Sequence, residues 1–155
     1  MKLLFKQRVF TWLDSYDIYN EYDETIFTVE GRISWGHKLI IYDQGGREVG
    51  EVKEEVLTFL PRFQMLIHGK EIGIIQKELS FFKPKFYLTC NDWEIQGNVM
   101  EWDYDVHSST RHIMHVEKQL FNWSDTYVMD IARDEDALMC LMIVLAIDAA
   151  KCNRG

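Results

Sequence analysis

The sequence contains little proline and cysteine, and fewer positive than negative charges. Its 155 residues include two prolines and three cysteines, and 17 lysines and arginines stand against 25 acidic residues, giving a formal net charge of −8. With 47% hydrophobic and 27% charged residues, this composition excludes collagen-like and low-complexity chains and argues against disorder. The acidic balance disfavours nonspecific binding to nucleic acid or anionic membranes, because both attract basic surfaces. A partner of either kind would need a local basic patch.

The chain also lacks the signals of secretion and membrane insertion. Cys90, Cys140 and Cys152 are odd in number, and their spacing fits neither a disulfide framework nor a zinc site, so free thiols are expected. The amino terminus has only three apolar residues before Lys6, too few for a signal peptide. The longest apolar run, residues 137–147, has 11 residues. A spanning helix needs about 20. We therefore expect a soluble, cytoplasmic protein without a transmembrane segment.

Two segments share one pattern at an offset of 23 residues: GREVGEVKEEVLTFLPRF and GKEIGIIQKELSFFKPKF. Fainter copies occupy residues 29–39 and 116–127. Each copy alternates apolar and polar residues on both sides of a polar tip, which predicts two short strands joined by a turn. Equivalent positions after the tip should point into the same core, because side chains alternate along a strand. These positions are Leu39, Phe63, Phe86 and Tyr127; Val56 and Leu79 match before the tip.

About 133 residues precede the last segment of the chain. At roughly 11 residues per strand and turn, they predict on the order of 12 strands. A sheet of that size tends to close on itself or to split in two. The repeated hairpins therefore indicate a mainly β protein with a large, closed antiparallel sheet.

The last segment, residues 134–152, predicts a helix. It opens with the acidic Asp134, Glu135 and Asp136 and ends near Lys151, as the helix dipole favours. Between these ends, residues 137–147 have no polar face, so the helix must be buried on all sides. A large barrel leaves a lumen that needs filling. The sequence thus predicts one domain, 1–155, in which barrel strands within 1–133 surround a central hydrophobic C-terminal helix.

Four runs carry a family resemblance: VLTFLPRF, SFFKPKF, LFNWSDTYVMDI and EDALMCLMIVLAIDA. They resemble the LURP-one-related (YxjI) family, which has the tubby C-terminal-like fold and is related to the phospholipid scramblases. The resemblance extends from FKQRVFTWLDSYDIYNE to the C-terminal helix. It implies a 12-stranded antiparallel barrel around a hydrophobic helix. It implies no catalytic residues, and a fold alone does not fix a function.

The candidate metal and acid/base groups favour structural interpretations. His112 and His115 are three residues apart, which places them on opposite faces of a regular strand, so no metal site is expected. Glu101, Asp103 and Asp105 share one strand face, where they could hold a hard cation or act as an acid/base pair. Alternation with apolar residues is also typical of a solvated outer face, the interpretation we favour. With no catalytic or phosphate-loop motif, neither enzyme activity nor a cofactor is expected.

A basic rim is the strongest functional candidate. Repeated hairpins place equivalent tips at one end of a barrel, and the tips contribute Lys38, Arg62, Lys83 and Lys85. Such a patch could receive anionic lipid headgroups, a phosphorylated ligand or an acidic protein segment. Lysines and arginines near turns also serve solubility alone. The resemblance adds that tubby-like domains include phosphoinositide binders, although none of their basic positions is matched here.

We therefore predict a noncatalytic binding or regulatory module with this rim as its ligand site. The main alternative is a protein-interaction scaffold, which exposed aromatics and an unpaired barrel edge would favour. A small-molecule enzyme using the Glu101, Asp103 and Asp105 face ranks third. A membrane-anchored protein, held by the apolar helix, ranks fourth.

Overall fold

Twelve antiparallel strands and one α-helix form the structure, a computed structural model that describes residues 1–6, 15–34, 36–80, 83–121 and 124–152. Successive strands pair with each other, and the last pairs with the first, so the described strands form a closed barrel. The predicted barrel of about 12 strands is confirmed. The strands are β1 Lys2–Lys6, β2 Ser15–Tyr19, β3 Thr25–Ser34, β4 Gly36–Tyr42, β5 Glu48–Glu54, β6 Arg62–Ile67, β7 Lys70–Glu78, β8 Lys85–Leu88, β9 Glu94–Asn98, β10 Asp103–His107, β11 His112–Phe121 and β12 Ser124–Ile131.

The inward faces of the strands form the wall of the core. The two clear copies of the repeat become the pairs β5–β6 and β7–β8, and their second strands begin at equivalent residues, Arg62 and Lys85. Phe63, Phe86 and Tyr127 are all buried in one hydrophobic cluster, and Leu39 joins them there. This confirms the prediction that equivalent positions of the repeat point into the barrel.

The lumen is filled by the helix α1, Ala137–Cys152, which follows a 3₁₀ turn at Asp134–Asp136. Residues 140–147 are each at most 1% exposed. Full burial of one large apolar side chain is worth about 1.5–3 kcal/mol, so this helix contributes much of the core's stability. The prediction of a central hydrophobic helix is confirmed. Among the described residues, no helix combines the length and the apolar character needed to cross a bilayer.

One glycine of the wall allows the helix to pack closely. A Cβ added to Gly50 of β5 would lie 3.3 Å from Leu138 Cδ1 and 3.4 Å from Met142 Sδ, closer than most carbon contacts. Because glycine has no side chain, β5 and α1 can approach each other here. The wall therefore adapts to the helix at this position.

The carboxyl-terminal half of α1 carries two charged residues, Asp148 and Lys151. Lys151 Nζ lies 3.9 Å from the centroid of the Trp102 ring, a cation–π contact. Trp102 itself packs against Tyr127 and Phe5, with ring centroids 4.0 and 5.8 Å away. Burial raises the pKa of Asp148 to about 6, and nearby Lys151 only partly opposes this shift. Asp148 is therefore a carboxyl group whose ionised form the barrel interior disfavours.

Candidate functional site

The four predicted basic residues lie toward one end of the barrel. In an antiparallel barrel, β4, β6 and β8 all begin at the end where β3, β5 and β7 finish. Arg62 and Lys85 are the first residues of β6 and β8, Lys38 is near the start of β4, and Lys83 lies just before β8. We name this end, with its connections at residues 34–36, 55–61 and 79–84, the tip end.

The strand residues of this set face outward. Lys38, Arg62 and Lys85 each directly precede one of the inward-pointing residues of the repeat, so alternation turns them to the outside of the barrel. Neighbouring strands are about 4.8 Å apart, which separates β4 from β6 and β6 from β8 by roughly 10 Å each. The basic residues therefore spread along the rim and do not enclose a single small pocket.

Ion pairing distinguishes Arg62 from the three lysines of the basic rim. Arg62 Nε lies 2.8 Å from Glu55 Oε2, so its charge is balanced within the protein. Within the described ranges, no ion pair is found for Lys38, Lys83 or Lys85. Lys38 is also paired in register with Arg32 on one side and with Lys53 on the other. Arg32 Nε lies 3.0 Å from Glu30 Oε1, so the like charges that an external anion would relieve are those of Lys38 and Lys53.

Exposed apolar side chains share the tip end with these lysines. In the described ranges eight large hydrophobic side chains are exposed, and Leu57 at 100% and Phe59 at 92% are the most exposed of them. Six of the eight belong to the tip end by topology: Ile33, Val56, Leu57, Phe59, Leu79 and Met100. Scattered exposed apolar residues are ordinary, but a set concentrated at one end indicates an interaction surface.

The connections at the tip end touch one another. A Cβ on Gly36 would lie 2.9 Å from Val56 Cγ1, so the β3–β4 turn packs against the 55–61 loop. Leu60 of that loop lines a cavity of about 280 Å³ together with Leu79 and Lys83 of the next connection. The described residues of the three connections thus lie next to one another.

Sequence reasoning missed this apolar surface. The repeat aligns Val56 with Leu79 and predicts no function for either, and both residues follow the last ladder pair of their strand. The signal was available in the sequence, because the regular alternation stops before Val56 and Pro61 soon follows. An apolar residue beyond the end of a strand is not directed into the core by the strand's alternation, so it can remain exposed.

The prediction that His112 and His115 lie on opposite faces is wrong. A bulge shifts the register of β10 and β11, and Ile113 and Met114 are both fully buried. The extra residue returns both histidines to the outer face. There His112 Nε2 and His115 Nδ1 lie 2.9 and 3.0 Å from the same oxygen, Asp105 Oδ1.

Asp105 and its neighbours nevertheless form a surface network. Burial raises the pKa of Asp105, but hydrogen bonding with His112 and His115 outweighs this and holds the pKa below its usual value. Asp103 on the same face is 74% exposed, whereas Glu101 belongs to a 3₁₀ turn and not to the strand. No group of three or more metal-binding side chains suited to an ion is found in the described part of the chain.

Comparisons with known proteins agree on one family. The family model described as LURP-one-related matches residues 1–148. The uncharacterized protein YxjI of Bacillus subtilis (strain 168) is 31% identical over 154 residues, which are 99% of this chain and 95% of that protein. An X-ray structure of a protein from Arabidopsis thaliana superposes with a TM-score of 0.66 at 15% identity, over 96% of this chain and 90% of that one. The shared fold is the tubby-like barrel, and neither the family description nor the names of these proteins state an activity.

Proposed function

The chain belongs to the LURP-one-related family, and on that premise we propose that it is a noncatalytic module that docks its tip end on anionic lipid surfaces. The observation that carries the proposal is the coincidence of two features at one end of the barrel. Exposed apolar side chains, Leu57 and Phe59, share the tip end with Lys38 and Lys83, for which the described residues provide no ion pair. Proteins that bind membrane surfaces combine apolar side chains with basic ones in this way.

The apolar side chains supply the insertion. Leu57, Phe59 and Leu79 are 100%, 92% and 73% exposed. Transfer of one such side chain from water to an apolar environment is worth about 1.5–3 kcal/mol. Three side chains entering together would therefore provide several kcal/mol toward a shallow, reversible attachment.

The charges supply the selectivity for anionic lipid. Residues 32–38, 53–62 and 77–85 contain seven lysines and arginines against three glutamates, in a chain whose net charge is −8. A basic residue near an anionic leaflet contributes about 1 kcal/mol, and the cytoplasmic leaflet is the anionic one, which agrees with a cytoplasmic protein. The basic residues of successive hairpins are separated by roughly 10 Å along the rim. This spacing suits binding to several lipid headgroups of a membrane surface better than binding to one phosphate group.

The acid/base alternative has weaker support. Of the three carboxylates that sequence analysis placed on one strand face, Glu101 has left the strand and Asp105 is engaged with two histidines. The remaining Asp103 is 74% exposed, so water screens its carboxylate.

Vesicle sedimentation tests the proposal. Wild-type protein should pellet with phosphatidylcholine vesicles that contain phosphatidylserine or phosphoinositide, and not with phosphatidylcholine alone. Binding should weaken from low to physiological salt, because screening acts on exposed charges. Lys83→Glu with Lys85→Glu should abolish binding, and Leu57→Ser with Phe59→Ser should weaken it strongly, both with nearly unchanged melting temperatures.

A matched control changes the same charge at the other end of the barrel. Lys2 and Lys70 are exposed there, so Lys2→Glu with Lys70→Glu should leave vesicle binding nearly intact. If wild-type protein shows no salt-sensitive binding to anionic vesicles, or if the control loses as much binding as the tip-end variant, the lipid proposal is wrong.

A further inference from the structure

The outer wall of the barrel contains a groove where β8 and β9 diverge. In the described strands, a single residue pair, Tyr87 with Glu94, joins them, whereas β8 forms four pairs with β7 and β9 forms five with β10. The groove has a volume of about 510 Å³. Small-molecule sites typically have volumes of about 300–1,000 Å³, so this groove is large enough for a small ligand.

The sequence explains why the two strands diverge. Continuing the register from Tyr87 and Glu94 would set Pro84 opposite Gly97. Proline has no N–H to donate to a ladder. Gly97 has a φ of +118°, outside the range of a regular strand. Both residues oppose a longer ladder, so the groove is built into the chain.

Apolar side chains form the floor of the groove. They come from the positions on either side of the Tyr87–Glu94 pair, and strand alternation directs them away from the outer face on which these two residues lie. Each is buried or partly buried against the hydrophobic core, yet each lines the groove because the strands separate here. These floor residues are Phe86, Leu88, Trp93 and Ile95.

Carboxylates surround this apolar floor. Glu78, Asp92 and Glu94 are exposed and line the groove against one basic residue, Lys85. The hydroxyl and the backbone N–H of Ser109 both donate to Asp92 Oδ2, and this hydrogen bonding lowers the pKa of Asp92. Asp92 is therefore ionised at neutral pH, and three negative charges face one positive charge.

An aromatic ring lies next to one of these carboxylates. Tyr87 is directly opposite Glu94 in register, which places their Cβ atoms about 4.5–5.5 Å apart. The Tyr87 hydroxyl donates to Gln76 Oε1 at 2.8 Å, and this hydrogen bond orients the ring. Aromatic rings attract ammonium groups, and carboxylates form charge-assisted hydrogen bonds with them. Together with the apolar floor, this arrangement favours an organic cation.

We propose that the β8–β9 groove binds a small primary amine that has an apolar body, such as an arylalkylamine. The ammonium group lies among the carboxylates, and the apolar body covers Leu88 and Ile95. Charge selects the amine, and burial of the apolar body supplies affinity. This ligand is cationic, whereas the tip end is proposed to bind an anionic surface, so the inference does not rest on lipid docking.

The test titrates ¹⁵N-labelled full-length protein with 2-phenylethylamine and follows the backbone amide shifts by NMR. Two control compounds have a body of similar size: 3-phenylpropionate carries a negative charge, and 2-phenylethanol carries none. A third control, ethylamine, carries the positive charge without the aromatic body. The probe should shift amides within residues 86–88 and 92–95, and each control should bind at least about fivefold more weakly.

Protein variants test the role of the carboxylates. Glu78→Gln with Glu94→Gln keeps the size of both side chains, leaves Asp92 in place and should weaken binding of 2-phenylethylamine about fivefold or more. Glu48→Gln with Glu71→Gln, two exposed acids outside the groove, should leave the Kd nearly unchanged.

The proposal is overturned if 2-phenylethylamine shifts no amide in the two segments, or if any of the three control compounds binds as tightly. It is also overturned if the variant with both groove substitutions keeps the wild-type affinity. No vesicle takes part in these titrations, so their outcome is distinct from that of the lipid experiments.

Discussion

Arg111 Nη2 lies 2.6 Å from Asp136 Oδ2, and this contact fastens the start of the central helix to the barrel wall. Arg111 precedes β11, and Asp136 ends the 3₁₀ turn before α1. The two side chains are only 26% and 12% exposed, so water does not readily replace either partner. The pair therefore fixes where the chain turns from the last strand into the lumen.

Asp136→Asn should lower the free energy of unfolding by about 1–3 kcal/mol, because it leaves a partly buried guanidinium without its charged partner. Glu135→Gln is the matched control, because Glu135 lies in the same turn but is 72% exposed. Its Oε1 is 3.6 Å from Arg133 Nη1, so its ion pair lies at the surface. The control should change stability by less than about 0.5 kcal/mol. Urea unfolding measures both, and equal losses would show that the Arg111 contact has no special role.

Leu141→Asp or Val144→Asp should prevent stable folding, because each places an unpaired carboxylate in the dry lumen. Leu57→Asp makes the same type of change at a fully exposed side chain and should leave the melting temperature nearly unchanged. Circular dichroism melts compare the three proteins. A Leu141→Asp or Val144→Asp variant that melts cooperatively near the wild-type temperature would contradict the central position of α1.

Asp148 should make the protein less stable as pH rises from about 4 to 6. Its pKa is about 6 in the folded protein and near 3.8 when unfolded, so in this window only the folded state keeps the proton. This difference stabilises the fold below the window by on the order of 2–3 kcal/mol and is lost above it.

Asp148→Asn removes this titration. Compared with wild type, the variant should be more stable at pH 7 and should lose less stability between pH 4 and 6. Urea unfolding at several pH values gives the two curves, and parallel curves would refute the assigned burial of this carboxyl group. Other acids titrate equally in both proteins, so they cancel in the comparison.

The sequence predicted the features that depend on pattern alone. The absence of a polar face in residues 137–147 predicts burial on all sides, and the structure buries residues 140–147 in this way. The repeat placed Phe63, Phe86 and Tyr127 on one face, because strand alternation carries equivalent positions to equivalent sides.

Features that depend on a local departure from the pattern could not be predicted. His112 and His115 lie on the same face because of a bulge, and neither residue between them is of a type that indicates a bulge. The contact between Arg111 and Asp136 joins residues 25 positions apart, and its geometry exists only once the barrel is closed. The exposure of Leu57 and Phe59 differs from these two cases, because the end of the alternation before Val56 and the nearby Pro61 do indicate in the sequence that the strand has ended.

The most direct test of lipid docking measures which end of the barrel enters the membrane. An environment-sensitive fluorophore is attached at Leu57→Cys, or at Tyr22→Cys at the opposite end, in a background where Cys90 and Cys152 are serine. Cys140 is buried, and burial raises its pKa, so it should not react with the label. On adding phosphatidylserine-containing vesicles, the account predicts a blue shift and quenching by lipid-borne quenchers for the Leu57→Cys label alone. An unchanged spectrum at Leu57→Cys, or an equal shift at Tyr22→Cys, would contradict docking through the tip end.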